Sequence, residues 1–486
     1  MSEQNRKEDY FVNATILGKS ANICDIPCKI FLPERIYEKP SFLFRPNERS
    51  DATLLMSQQF GGFKAIVVGP DQKARTTIEA KEVYFSKSGA RYWGPDLSEP
   101  YAQGEPQHLM ITDHLELPDL SDKTHIVFWI TPNDLLTPSI FSSLSYTGDI
   151  SRERHSNAEF TIQSEMKLVF DMHFKTKNTD TGDLVQWSYL VACAELTTPA
   201  TDLESLQKYV LPHIDDFLLI ASLAAGKRTA CLGWTATDEH SHATYYRGNY
   251  AFPDCNAESG IHDYLADRQS SKEFIETCHT NFLAHENQLA LRSAICAAVP
   301  LDQHTLEAGF LSKFAGLETL LLSFRKQNSL EDILPPDHWK SLKCYLQKCI
   351  RQATEPELDH KQKKSIYNKL DELNRVSIKE AFETFRQHYG IYLSDLWPTF
   401  GEKDAIGLVD IRNKLIHGDP FPNELVHALS MANIHLQFTL ERSLVRVLGW
   451  DITKTKVNPA YLGHYFKNAM TDFSDERKQL TDYIRR

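Results

Sequence analysis

From Phe11 to about Leu196, apolar positions either alternate with polar ones or form short β-branched runs between turn signals. Phe11-Val12-Asn13-Ala14-Thr15-Ile16, Phe63-Lys64-Ala65-Ile66-Val67-Val68 and His125-Ile126-Val127-Phe128-Trp129-Ile130 are examples. A period of two places one set of side chains on one face of a strand. The stretch from Ala158 to Lys175 is longer and rich in Phe and Val, and Leu184 to Leu196 can pair with it across Asn178-Thr179-Asp180-Thr181-Gly182. Many strands with few helical patterns predict an antiparallel, sandwich-like or barrel-like domain.

The period then changes. Asp202 is placed to cap a helical pattern that runs to about Ala225 and stops at Gly226. A short irregular or β-like stretch follows, with Trp234, Tyr245, Tyr246, Tyr250 and Phe252. From about Ile261 the pattern is helical. Leu306, Phe310, Phe314, Leu317, Leu321 and Phe324 fall on one stripe. Pro335-Pro336-Asp337 opens another helix, and a long one starts near Pro422, carries Leu425, Leu429, Ala432, Leu436, Leu440 and Leu444, and ends near Gly449. Such helices predict an up-and-down bundle. The expected fold class is α+β: a β-rich, sandwich-like domain over residues 1–265 with an inserted helix, then a helical bundle over 266–486 with a C-terminal tail.

Length supports two or three domains, since 486 residues exceed one ordinary core. A formal net charge of -12 argues against general coating of nucleic acid but leaves room for a local basic site. Lys340, Lys343, Lys348, Arg351, Lys361, Lys363, Lys364 and Lys369 crowd one part of the helical region. They are the best candidates for a phosphate-backbone track, the alternative being a solvated helix face. The nine cysteines are odd in number and scattered, the N-terminus is polar, and the longest apolar run, Phe217 to Ala225, is too short to span a bilayer. A soluble, cytoplasmic protein with free thiols is expected. Cys24 and Cys28 have no second pair at finger spacing, and Asp238-Glu239-His240-Ser241-His242 reads as a polar loop, so neither a metal nor another cofactor is expected.

The candidate chemistry lies in Arg412-Asn413-Lys414-Leu415-Ile416-His417-Gly418. Ala405, Leu408, Val409, Arg412, Leu415 and Ile416 make one helical stripe, on which Arg412 stands where an apolar residue belongs. A charged residue is rarely buried unless paired. Arg412 therefore either reaches the edge of the stripe or faces an anionic ligand. Gly418-Asp419-Pro420 ends the helix, leaving His417 in its last turn or cap. Asn413, four residues earlier, is placed to orient the imidazole. Histidine suits proton transfer near neutral pH, and the planar guanidinium fork matches phosphate oxygens.

This stretch resembles the ribonuclease motif of HEPN domains: Arg, a polar residue, three further residues, then His. The likeness covers the C-terminal third of the chain. It implies a helical bundle whose Arg412, Asn413 and His417 cleave RNA without a metal, in a homodimer or higher homo-oligomer. HEPN domains often carry an acidic residue on an early helix, which gives Glu318, beside the Phe314–Leu321 stripe, a supporting place; an edge-of-core carboxylate is the plainer alternative. Lys340, Lys343, Lys348, Arg351, Lys363 and Lys364 would then bind the RNA. A large β-rich part followed by such a bundle is similar to ApeA-type anti-phage defence proteins of bacteria. That implies abortive infection and a trigger, such as a phage component, sensed by residues 1–265. A different class stays open: a non-catalytic sensor or binding protein whose bundle serves only to dimerise.

Overall fold

The computed structural model describes residues 9–17, 22–33, 38–46, 61–68, 75–92, 98–114, 124–144, 150–155, 159–162, 166–178, 184–196, 206–238, 241–248, 264–300, 305–353, 358–418, 421–465 and 473–485. The chain divides into two compact units. The first comprises residues 1–264 with 268–276, and the second comprises 265–267 with 277–486. The class is α+β, with an antiparallel sheet in the first unit and helices dominating the second.

The strands are β1 (Asp9–Leu17), β2 (Asn22–Phe31), β3 (Ser41–Phe44), β4 (Gly61–Val68), β5 (Arg75–Tyr92), β6 (Ser98–His114), β7 (Thr124–Ile130), β8 (Ser139–Leu144), β9 (Ile150–His155), β10 (Glu159–Ile162), β11 (Met166–Asn178), β12 (Leu184–Leu196), β13 (Cys231–Thr237) and β14 (Ser241–Arg247). Of the sandwich-like and barrel-like arrangements expected, the described strands form the second. Twelve strands make one antiparallel sheet in the order β10-β11-β12-β7-β13-β14-β6-β3-β2-β1-β4-β5, and β5 also pairs with β6. Strands β1, β2, β3, β6, β5 and β4 therefore close into a six-stranded barrel. Strand β6 makes this possible. One of its edges pairs with β5, while the other pairs with β14 at His108–His114 and with β3 at Ala102–Gly104. Closure removes the exposed edges an open sheet would leave.

Alternation sets the barrel interior. Val12, Ala14 and Ile16, Ile26, Cys28 and Ile30, then Phe42 and Phe44 are buried in turn along three successive strands. The register of β11 with β12, from Val169 opposite Cys193 to Asn178 opposite Leu184, follows the hairpin expected from the sequence. Strands β8 and β9 form a separate hairpin. Helix α1 (Leu211–Ala225) follows a π-helical turn at Leu206–Val210 and is buried on almost every side. That explains its all-round apolar sequence. Phe217 packs on Phe160 and Phe170 of the sheet, and Asp215 accepts a bidentate pair from Arg247 at 2.7 and 2.8 Å. Asp202, Tyr250 and Phe252 lie outside the described residues.

The helices that follow are α2 (Ser271–Ala284), α3 (Gln288–Ala298), α4 (Leu306–Gln327), α5 (Pro336–Gln352), α6 (His360–Lys369), α7 (Ile378–Tyr389), α8 (Leu408–Ile416), α9 (Val426–Val447), α10 (Pro459–Tyr465) and α11 (Ser474–Ile484). The expected stripe of α4 is buried from Phe310 to Phe324. Helix α9 is the centre of the second unit and contacts α3, α4, α7 and α11. Its apolar stripe was legible, but His435, Gln437, Thr439, Glu441, Arg442 and Ser443 are buried too. The sequence leads one to expect a tail after α9; instead α10 and α11 continue the unit. No described helix is long and apolar enough to cross a membrane.

The buried polar groups of α9 are matched. Arg442, fully buried, gives its two terminal nitrogens to the Asp395 carboxylate at 2.6 and 2.7 Å, and also donates to the Tyr392 and Val457 carbonyls. Removing one member of a buried pair leaves the other uncompensated. Asp395→Ala is expected to lower unfolding stability by about 3–5 kcal/mol. Chemical denaturation checks this, and a loss below about 1 kcal/mol would mean that other groups satisfy Arg442.

Candidate functional site

Helix α8 is short, and its ends are fixed by backbone and side-chain hydrogen bonds. Its first amides, Leu408 and Val409, donate to the Pro398 and Thr399 carbonyls at 3.0 and 2.9 Å. Asp410 reaches back to accept the Gly407 amide at 2.8 Å, and its charge suits the positive end of the helix. Gly407 is required by space, because a Cβ there would collide with the backbone of Phe400 and Gly401. At the far end, His417 caps the helix with its amide on the Asn413 carbonyl, and Gly418 follows at φ +82°. That left-handed value is one glycine adopts without strain.

The stripe differs from the sequence expectation. Ala405 precedes the helix, Leu408 and Ile411 are its buried residues, and Ile416 is 53% exposed. The first turn is locked by the 398–399 segment, which rotates the buried face toward Ile411. Arg412 consequently sits at the edge of that face, half-buried, and finds a partner across the bundle. Its Nη2 donates to Glu318 Oε2 of α4 at 3.1 Å, its Nη1 donates to Asn413 Oδ1 at 3.1 Å, and its guanidinium lies over the Phe314 ring at 5.9 Å. A guanidinium has five N–H donors. Among the described residues, Glu318 and Asn413 accept one each. The structure thus brings Arg412, Asn413 and Glu318 together. His417 lies exposed at the end of the same helix, and among the described residues its imidazole makes no hydrogen bond to the side chain of Arg412 or Asn413. Asn413 turns its amide oxygen to Arg412, and its expected bond to the imidazole is not formed.

The basic cluster lies on α5 and α6, neither of which buries a residue. Lys340, Lys348, Arg351, Lys361, Lys364 and Lys369 are exposed, and Lys363 is half-buried. Spacings of eight and three residues place Lys340, Lys348 and Arg351 along one side of α5. Lys343 differs. It ion-pairs with Asp371 at 2.6 Å, which also accepts the Trp339 indole at 3.0 Å. These two donors hold the Asp371 carboxyl below the ordinary carboxylate range. Lys343 thus joins α5 to the turn after α6 instead of standing free.

In the first unit, Asp238 accepts the Ser241 amide and hydroxyl at 2.7 and 3.0 Å, as a hairpin turn requires, and His242 bonds to Thr237 at 2.9 Å. Glu239, His240 and the side chain of Cys24 lie outside the described residues, and Cys28 is buried in the barrel. Among the described residues, no three His, Cys, Asp or Glu side chains gather in a metal-holding group.

No protein-family model, curated protein or solved structure matches this chain. The residues that sequence reading missed lie on α11 and at its C-terminal cap. Arg477, Thr481 and Arg485 hydrogen-bond to the segment leading into α8. Their i, i+4, i+8 spacing was the available signal.

The Arg412–Glu318 pair is only partly shielded, with side-chain exposures of 30% and 29%. Glu318→Gln is therefore expected to cost less than about 1 kcal/mol of stability. Thermal unfolding measures it, and a loss of several kcal/mol would make the pair a structural anchor.

Proposed function

We propose that this chain is a metal-independent endoribonuclease of HEPN type that works as a dimer. One observation carries the reading. A half-buried arginine, tethered by a carboxylate, and an exposed histidine at a helix end lie five residues apart on one short, rigidly held helix.

RNA supplies its own nucleophile. The 2′ oxygen bonds to phosphorus as its proton passes to a base, and the phosphorus–5′ oxygen bond breaks as that oxygen gains a proton. The products are a 2′,3′-cyclic phosphate and a 5′-hydroxyl end. His417 gives the proton to the leaving oxygen. Arg412 binds the non-bridging oxygens where negative charge gathers. A two-fold axis repeats the same patch, so His417 of the partner subunit supplies the base. Glu318 and Asn413 hold the guanidinium in place between turnovers.

The RNA strand runs along α5 and α6. Residues 336–369 carry eight Lys or Arg against four Asp or Glu, a balance of +4 in a chain of -12. Polyanion affinity follows such local charge. The likeness in domain order to ApeA-type proteins supports a defence role in which residues 1–265 sense a phage-derived trigger.

A second reading has its own support. The Glu318 ion pair also suits a purely structural arginine in a non-catalytic sensor or dimerisation module. Overexpression separates the two. Toxicity that disappears in His417→Ala favours the nuclease.

His417→Ala and Arg412→Ala are each expected to lower cleavage by at least about 10²-fold while the protein stays folded. Cleavage by wild type is expected to persist in EDTA, leave a 2′,3′-cyclic phosphate and spare DNA. Wild-type rates from purified His417→Ala protein, or equal cutting of DNA, would end the assignment. Mixing Arg412→Ala chains with His417→Ala chains tests the composite site. Partial recovery of activity is expected, whereas a monomer cleaving at full rate would falsify the dimer.

A further inference from the structure

Helix α8 is too short to hold itself in place. Isolated helices of nine residues are marginal in water. Of the nine, only Leu408 and Ile411 are buried. Something else must fix where Arg412 and His417 stand.

The hydrogen bonds identify it. Thr481 of α11 accepts the Ile406 amide through its hydroxyl at 3.2 Å and donates to the Arg477 carbonyl at 2.7 Å. Arg477 donates through Nε to the Ile406 carbonyl at 2.8 Å, so Ile406 is bonded to α11 through both its backbone groups. One turn further, Arg485 donates to the Lys403 and Glu402 carbonyls at 2.7 and 2.9 Å. Arg477, Thr481 and Arg485 thus form one polar stripe along α11, aimed at the backbone that enters α8. Tyr483, beside that stripe, reaches the other end. Lys414 lies over its ring at 5.4 Å, and Phe421 packs against it at 5.4 Å. Helix α11 therefore holds the candidate helix both before Leu408 and around His417.

The seam has an apolar part, in which Ile406 and Leu480 are buried. A groove of about 560 Å³, open to solvent, lies beside it, lined by Asp404, Ala405, Phe473, Ser474, Arg477 and Thr481 among others. Directional hydrogen bonds at Glu402, Lys403 and Ile406 add to that packing and fix the orientation of the entering loop.

We infer that α11 sets the position of Arg412 and His417, with Thr481 and Arg485 as positioning residues. Without them the loop at 402–406 is free to shift, and α8 shifts with it. The inference rests on the nuclease reading only where activity is measured.

The test uses the full-length protein with Thr481→Val, which keeps shape and removes the hydroxyl, Thr481→Ser, which restores it, and Arg485→Ala. Hydrogen exchange of the α8 amides, Arg412, Asn413 and His417 included, is expected to speed up at least ten-fold in Thr481→Val and Arg485→Ala. Amides of α4 and α9 should keep wild-type rates, and Thr481→Ser should behave as wild type. In RNA cleavage, kcat is expected to fall at least ten-fold with KM within two-fold. Faster exchange confined to Ile406 would overturn the inference. So would equal acceleration in α4 and α9, which marks general destabilisation. A wild-type protein that cleaves no RNA would defeat the nuclease reading, while exchange alone would still decide the positioning role.

Discussion

The second unit depends on a cation that cannot leave the core. Arg442 is fully buried on α9, and its guanidinium is satisfied by Asp395 and two carbonyls. Burying a charge is costly unless it is paired and hydrogen-bonded. Once those partners are required, the chain from Tyr392 to Asp395 has little freedom. His435 of α9 continues the constraint by accepting the Trp397 amide at 3.2 Å. Pro398 and Thr399 then present the carbonyls that start α8. A polar contact in the centre of the bundle thereby sets the direction in which Arg412 leaves the surface. A hydrophobic pair of similar volume at Arg442 and Asp395 could be as stable, but it would lack this directional control over the connecting segment.

That constraint acts from one side, and α11 acts from the other. The Pro398–Thr399 carbonyls and the Thr481 hydroxyl bracket the turn at Phe400–Gly407, where glycines at 401 and 407 allow close backbone approach. Such a turn makes a short helix rigid without a large apolar face. The β-rich unit is held by a different principle. There, closing the barrel around Phe42, Phe44 and Phe85 buries apolar positions of β1, β2, β3, β5 and β6 against one another.

Much of this was legible in the sequence, and the exceptions have physical causes. The β11–β12 hairpin, the α4 stripe and the start of α5 at Pro336 followed from periodicity and turn chemistry, which are local. The strand pattern left sandwich-like and barrel-like arrangements both open, and which strands close the barrel was not legible, because it depends on one strand changing partners along its length, which is a long-range choice. The polar residues buried on α9 carry no signal of burial in the apolar stripe, since charged side chains usually face solvent. Their burial rests on partners 47 residues away in sequence, as for Arg442 with Asp395. The proximity of Glu318 to Arg412 was suggested only through a family resemblance, yet the two stand 94 residues apart in sequence and 3.1 Å apart in space. Helix α11 was missed because its ties are hydrogen bonds to backbone, which leave no hydrophobic period.

The pairing of Arg412 also bears on how it could serve a phosphate. An ion pair this exposed is worth about 0–1 kcal/mol. At about 1.4 kcal/mol per factor of ten, Glu318 would weaken an incoming anion by roughly five-fold at most. A phosphate can take two guanidinium N–H donors at once, where Glu318 takes one, so it can displace the carboxylate. The arginine is consequently held in one orientation at rest without being locked away from a ligand. Lysine at 412 would lose this balance, since an ammonium cannot present a planar fork to phosphate while its flexible stem leaves Asn413 and Glu318 unevenly bonded. The geometry favours a residue that is always charged, planar and only lightly restrained, and Arg412 on a helix fixed at both ends meets those demands.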